Sequence, residues 1–178
     1  MQKIIRGDVH IIQSITALCD GTGAVRHSVD SFSNAFYWFR LGTPRMLTQA
    51  AAVLRDAGAR LCMATACNSR HLNEPMQEVC YHFEVSGILY NLTVSLNGEW
   101  PTVPSISPLF ANADWHEREM MELYGVKVAD HPNPQRLFLD EELDAGLLNK
   151  AVPLSIMMNG ACTTDLWERI LKDRENPE

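Results

Sequence analysis

The side chains best equipped for chemistry crowd into one short stretch, Trp115-His116-Glu117-Arg118-Glu119-Met120-Met121-Glu122-Leu123-Tyr124-Gly125. A histidine beside carboxylates offers general acid–base work, and with a second histidine it offers a zinc site. That second histidine must stand one helical turn later on the same face, where this chain has Met120, so metal-assisted hydrolysis lacks a ligand. His116, Glu117 and Glu119, or a thiol such as Cys67, are what a free-standing small-molecule enzyme would use. On a helix, Arg118 and Glu122 are four apart and pair along it, while Trp115 stacks on the guanidinium three residues on. By spacing alone the same set reads equally well as a solvated helix face.

Elsewhere the chemistry thins out. Gly21-Thr22-Gly23 lacks the third glycine of a dinucleotide fingerprint, Arg26 standing in its place, and reads as a plain turn. Cys19, Cys62, Cys67, Cys80 and Cys162 are an odd set without a C-x-x-C pair, so they read as buried thiols of a reducing compartment. Iron–sulfur ligation needs grouped thiolates, which this scatter does not supply. Cys62 and Cys67 fall on opposite faces of a strand unless a bulge intervenes. Cys80 and His82 share a strand face with Glu78 and Glu84, where ordinary solvent- or helix-facing residues fit better than metal ligands.

The stretch needs a scaffold to position it. Asp114 is placed to cap its helix, with Glu117 at the capping-box spacing and Gly125 as a left-handed stop. After it, His131-Pro132-Asn133-Pro134 must be a loop, because each proline holds its predecessor extended. Before it, Pro101, Pro104 and Pro108 break any further strand and impose an extended connector. Upstream, Val79, Tyr81, Phe83 and Val85, then Ile88, Tyr90, Leu92, Val94 and Leu96, alternate as two buried strand faces. Ser86-Gly87 joins them as a tight antiparallel hairpin. Ala35 to Leu41 predicts another strand. Thr43 caps and Pro44 opens a helix whose Leu47, Ala50, Ala51, Leu54 and Ala57 form one apolar stripe ended by Gly58. The isoleucines before Asp30 follow neither period, and no element is assigned there. Asp140, Glu141, Glu142 and Asp144 read as solvated surface; Thr164 caps a C-terminal helix with a Leu166, Trp167, Ile170 and Leu171 stripe.

These elements predict an α+β fold, a mixed, largely antiparallel sheet packed against helices, with a Pro-rich and helical C-terminal docking segment. Residues 1–110 form the core domain, and residues 111–178 carry the signature helix, His-Pro loop and docking extension of the same domain. A length of 178 residues suits one domain. With 15 basic against 22 acidic side chains and a net charge of −7, no positive field exists to attract nucleic acid. No apolar run approaches the roughly 18–20 residues of a membrane span. Lys3, Arg6, Asp8 and His10 interrupt what a secretory signal would need, so a cytoplasmic location is expected.

The order and spacing of Pro104-Ser105-Ile106-Ser107, Ala113-Asp114-Trp115, Glu117-Arg118-Glu119, Leu123-Tyr124-Gly125-Val126, His131-Pro132 and Arg136-Leu137 resemble a known signature region. It is that of the 30 kDa subunit of respiratory complex I, the NADH:quinone oxidoreductase. The same family includes the equivalent subunits of membrane-bound nickel–iron hydrogenases and formate hydrogenlyases. The resemblance implies a non-catalytic assembly subunit of the hydrophilic arm. Such a subunit docks on the large subunit that houses the quinone site or nickel–iron centre, near the small iron–sulfur subunit. Trp115, Glu117, Arg118, Glu119, Glu122, Gly125, His131, Pro132 and Arg136 are then signature and interface residues. No catalytic, cofactor or metal-binding residue is implied in this chain; partner subunits hold the iron–sulfur clusters and any nickel–iron or flavin group. The chain would be peripheral to the inner membrane, touching it only through the complex. Leu148-Asn149-Lys150-Ala151-Val152-Pro153-Leu154 replaces the basic stretch of respiratory members, which raises the hydrogenase-type branch.

Overall fold

The computed structural model describes residues 8–21, 23–69, 76–96, 102–139 and 145–146. Helix α1 (Val9–Thr16) starts where the Asp8 carboxylate accepts from the amides of His10 and Ile11, satisfying two donors that a helix start leaves unpaired. Ile11 and Ile15, one turn apart, are its buried stripe. Strand β1 (Val25–Val29) turns into β2 (Ala35–Leu41) through a loop held by Asp30, which accepts from the amides of Phe32 and Asn34. Then come helix α2 (Met46–Asp56), strands β3 (Arg60–Ser69), β4 (Met76–Val85) and β5 (Ile88–Leu96), and the short β6 (Thr102–Pro104). Helix α3 (Ala113–Tyr124) and the short β7 (Lys127–Ala129) complete the order.

Five strands form one sheet in the order β1-β2-β5-β4-β3, antiparallel except for the parallel β2–β5 pair. The fold is therefore α+β with a mixed, largely antiparallel sheet, as the sequence predicts. Strands β6 and β7 make a separate parallel pair. Ser86 and Gly87 both take positive φ, as the tightest hairpin turn requires, and bring Val85 opposite Ile88. The alternating residues of β4 and β5 land on the expected face: Val79, Tyr81, Phe83, Ile88, Tyr90, Leu92, Val94 and Leu96 are buried. Leu47, Ala50, Ala51 and Leu54 of α2 and Met120 of α3 join the same core.

Several local expectations need correction. Helix α2 begins at Met46 without a side-chain cap, because the amides of Met46 and Leu47 first close turns onto Thr43 and Pro44. Gly58 does provide the left-handed stop, at φ +75°. Residues before Asp30 contain helix α1 and strand β1; exposed Val9 blurs the helical period that Ile11 and Ile15 carry. The prolines after residue 100 do not abolish strand pairing: Pro104 ends β6, opposite Ala129. Strand β3 carries a register shift between Leu61 and Met63, and both Cys62 and Cys67 are exposed rather than buried. The acidic run 140–144 and the helix expected after Thr164 lie outside the described residues.

Candidate functional site

Helix α3 packs against β3, and its start is tied there by Asn112, whose Nδ2 donates to the Leu61 carbonyl at 3.0 Å. Asn112 also occupies the N-cap position, without a side-chain cap bond of its own. The capping box expected of Asp114 and Glu117 is therefore absent, since Asp114 already lies in the first turn. Gly125 ends the helix in the left-handed conformation at φ 67°.

Glu117 turns inward instead of back to the helix start. It is 0% exposed, and three donors converge on its carboxylate: Ser105 Oγ at 2.6 Å, Ser107 Oγ at 2.8 Å and the Ile106 amide at 2.8 Å. Stripping water from a carboxylate costs several kcal/mol, and each hydrogen bond to a charged group returns about 1.5–3 kcal/mol, so this full set offsets the burial. His131 closes the site. Its Nδ1 accepts from the Asn133 amide at 3.1 Å, which leaves the ring proton on Nε2. That Nε2 faces Glu117 Oε2 at 3.5 Å and Asp114 Oδ1 at 3.7 Å. Tyr81 reaches the same carboxylate from β4. Burial pushes its phenol well above the usual range, and the nearby Glu117 charge pushes it further, so Tyr81 stays protonated, its hydroxyl buried without a hydrogen-bond partner among the described residues.

The outer side of α3 holds the chain that follows β7. Arg118 does not pair with Glu122: its guanidinium donates to the carbonyls of Gln135 at 2.7 Å and Arg136 at 2.5 Å, with Asp114 Oδ2 at 3.6 Å. Glu122, also buried, accepts from the amides of Leu139 at 2.7 Å and Phe138 at 3.2 Å. Two carbonyls on an arginine and two amides on a carboxylate satisfy backbone groups of a segment that has no secondary structure of its own. Residues 131–139 are thus a strap, pinned by His131 at one end and by Arg118 and Glu122 along its length.

Trp115, Arg118 and Glu122 lie on one stripe of the helix. The expected stacking of Trp115 on Arg118 is not formed; the guanidinium belongs to the strap, and the indole is 66% exposed. Pro132, Arg136 and Phe138 are exposed as well, Phe138 at 62%, while His116 and Glu119 are half-buried. Ser105 and Ser107 are the side-chain donors to Glu117 that helix spacing does not reveal. The hydroxyl pair in the Pro104-Ser105-Ile106-Ser107 motif is the signal that points to them. Among the described residues, no group of three or more His, Cys, Asp or Glu is placed to hold a metal ion, and no helix is long and apolar enough to cross a membrane.

Residues 42–158 match the family model described as respiratory-chain NADH dehydrogenase, 30 Kd subunit. The chain belongs to this 30 kDa subunit family. The matched segment contains every residue of the Glu117 cluster and the strap. An NADH-quinone oxidoreductase subunit from Azorhizobium caulinodans is 32% identical over 139 residues, covering 75% of this chain and 66% of that relative. The like-named subunit from Rhodopseudomonas palustris is 38% identical over 79 residues, covering 44% of this chain and 39% of the relative. The chain thus spans between about two fifths and just under two thirds of these relatives. A protein in the structure of a membrane-bound sulfane sulfur reductase, an archaeal respiratory membrane complex, superposes with a TM-score of 0.55 at 15% identity. That match covers 75% of this chain and 77% of the other, and shows a shared fold.

Proposed function

We propose that the chain is a non-catalytic assembly subunit in the hydrophilic arm of a complex-I-type oxidoreductase, docking through the surface that the strap presents. The supporting observation is the state of Glu117: a carboxylate with no exposure, occupied by three internal donors, is spent on holding the fold. Glu122 and Arg118 are committed in the same way. A free-standing enzyme built on His116, Glu117 and Glu119 loses its central carboxylate by this geometry, which disfavours that alternative.

What the network leaves outward is a set of groups suited to protein contact. Trp115 stands at one end of the α3 stripe, Phe138 is held at the other by Glu122, and Arg136 sits between them on a backbone fixed by Arg118. Fixing the strap in advance lowers the ordering cost of association, and aromatic and arginine side chains are the usual anchors of interfaces. The partner is the large subunit with the quinone site or nickel–iron centre, beside the small iron–sulfur subunit. The chain carries no cofactor and lies at the cytoplasmic side of the inner membrane through the complex. The curated relatives favour a respiratory assembly over a hydrogenase; NADH- or hydrogen-dependent activity of the isolated complex distinguishes the two.

The test combines docking with stability. Trp115→Ala and Phe138→Ala weaken co-purification with the large subunit while leaving the melting temperature of the isolated chain nearly unchanged. Lowered melting temperature with intact co-purification would assign these side chains to the chain's own fold instead.

A further inference from the structure

The sheet face turned away from the buried core carries two cysteines outside the Glu117 network. Strands β3 and β4 pair with Thr65 opposite Cys80 and Cys67 opposite Glu78, so Cys67 and Cys80 are diagonal neighbours. Cys67 follows buried Ala66, and Cys80 sits between buried Val79 and Tyr81, which puts both sulfurs on this open face. Each thiol perturbs the titration of the other, and Cys80 Sγ lies 3.7 Å from Thr93 Oγ1. Cys67 is exposed and Cys80 half-buried.

Diagonal cross-strand neighbours are ~7–8 Å apart, beyond the ~4.4–6.8 Å Cα separation of most disulfides, so closing the pair requires the strands to move together. A bond closed across that diagonal carries strain, and strained disulfides are the readily reduced ones. Strand β3 is at the edge of the sheet and already bulged between Leu61 and Met63, so it has less pairing to lose than an inner strand in moving toward β4.

We propose that Cys67 and Cys80 are a reversible thiol–disulfide pair, closed by a peroxide and reopened by a dithiol. The exposed Cys67 thiolate attacks one peroxide oxygen; the O–O bond breaks, hydroxide leaves, and the sulfur becomes a sulfenic acid. The Cys80 thiolate attacks that sulfur, the S–O bond breaks and a second hydroxide leaves. The two thiol protons convert both hydroxides to water, so the thiols lose two electrons and the peroxide gains them. Burial raises both thiols above their ordinary pKa, and the Glu78 carboxylate raises both further, so thiolate is scarce and closure is slow. The pair therefore responds to sustained oxidant. Closure would bind the edge strand beside the Arg40–Glu78–Ser95 cluster on the same face.

Hydrogen peroxide treatment of the reduced full-length chain, followed by thiol blocking and peptide mass mapping, tests this. The expected product is a Cys67–Cys80 crosslink as the dominant species, reversed by dithiothreitol and unaffected by Cys62→Ser. Cys80→Ser should abolish it and leave Cys67 as a sulfenic acid that a dione reagent traps. Recovery of both cysteines as free, blockable thiols after oxidation, or crosslinking to Cys62 in equal yield, overturns the proposal. Neither result bears on the docking reading, which uses other residues.

Discussion

Helices α2 and α3 belong to one core and are held there by opposite means. Helix α2 buries Leu47, Ala50, Ala51 and Leu54, an apolar stripe at three- and four-residue spacing. Helix α3 buries Ala113, Glu117, Met120 and Glu122, so two of its buried positions are carboxylates. The first kind of contact is non-directional and tolerates any apolar side chain of similar volume. The second is directional, because each carboxylate fixes particular donors: Ser105, Ile106 and Ser107 on one side, Phe138 and Leu139 on the other. Adhesion can be written with Leu and Ala alone, whereas fixing the path of a strap that has no secondary structure needs hydrogen bonds.

Substitution separates the two mechanisms. The largest effect is expected of Glu117→Ala, which leaves two hydroxyls and an amide without their acceptor and should cost ~3–5 kcal/mol in denaturant unfolding. Leu54→Ala removes a fully buried side chain of α2 and should cost about 3 kcal/mol by the cavity it opens. Leu54→Met should recover most of that loss, while no volume-matched apolar residue at 117 restores the hold on the Ser105–Ser107 loop; recovered stability in Glu117→Leu would break the distinction.

Tyr81 supplies a pH signature for the α3 side alone. Its folded-state pKa is raised, so its contribution is present below the unfolded value near 10 and is lost as pH climbs from there toward the folded value. Stability should fall by up to about 1.4 kcal/mol per pH unit from this group, and Tyr81→Phe should remove that part of the slope. A smaller effect belongs to Gly125→Ala. A Cβ at φ 67° costs about 1–2 kcal/mol, read as a lowered melting temperature.

The same contrast explains which parts of the fold are legible in the sequence. The α2 stripe, the Ser86-Gly87 hairpin and the glycine stops follow from periodicity and φ preference, which are local properties. Periodicity assigns a charged position such as 117 or 122 to solvent, and the i,i+4 rule pairs Arg118 with Glu122. Their real partners sit in the loop before the helix and in the strap after it, beyond the reach of helix spacing. The order of the Ser-Ile-Ser, Glu-Arg-Glu and His-Pro motifs does carry the family, and the structure gives it a physical reason. Ser105, Ser107, Glu117 and His131 meet in one cluster, so motifs that are separate in the sequence share one site. Helix α1 escapes a sequence reading because Ile11 and Ile15 alone are too few to set a period against exposed Val9.

The central claim is that the signature carboxylates build the surface rather than perform the reaction. Glu117→Gln tests it most directly, since glutamine keeps the volume and removes the charge that Ser105, Ser107 and His131 face. Complex assembled with this variant is quantified, and turnover is measured per assembled complex. The account predicts less assembled complex, a lower melting temperature for the chain, and unchanged turnover in each complex that forms. Normal assembly with turnover abolished would contradict it and place Glu117 in the chemistry.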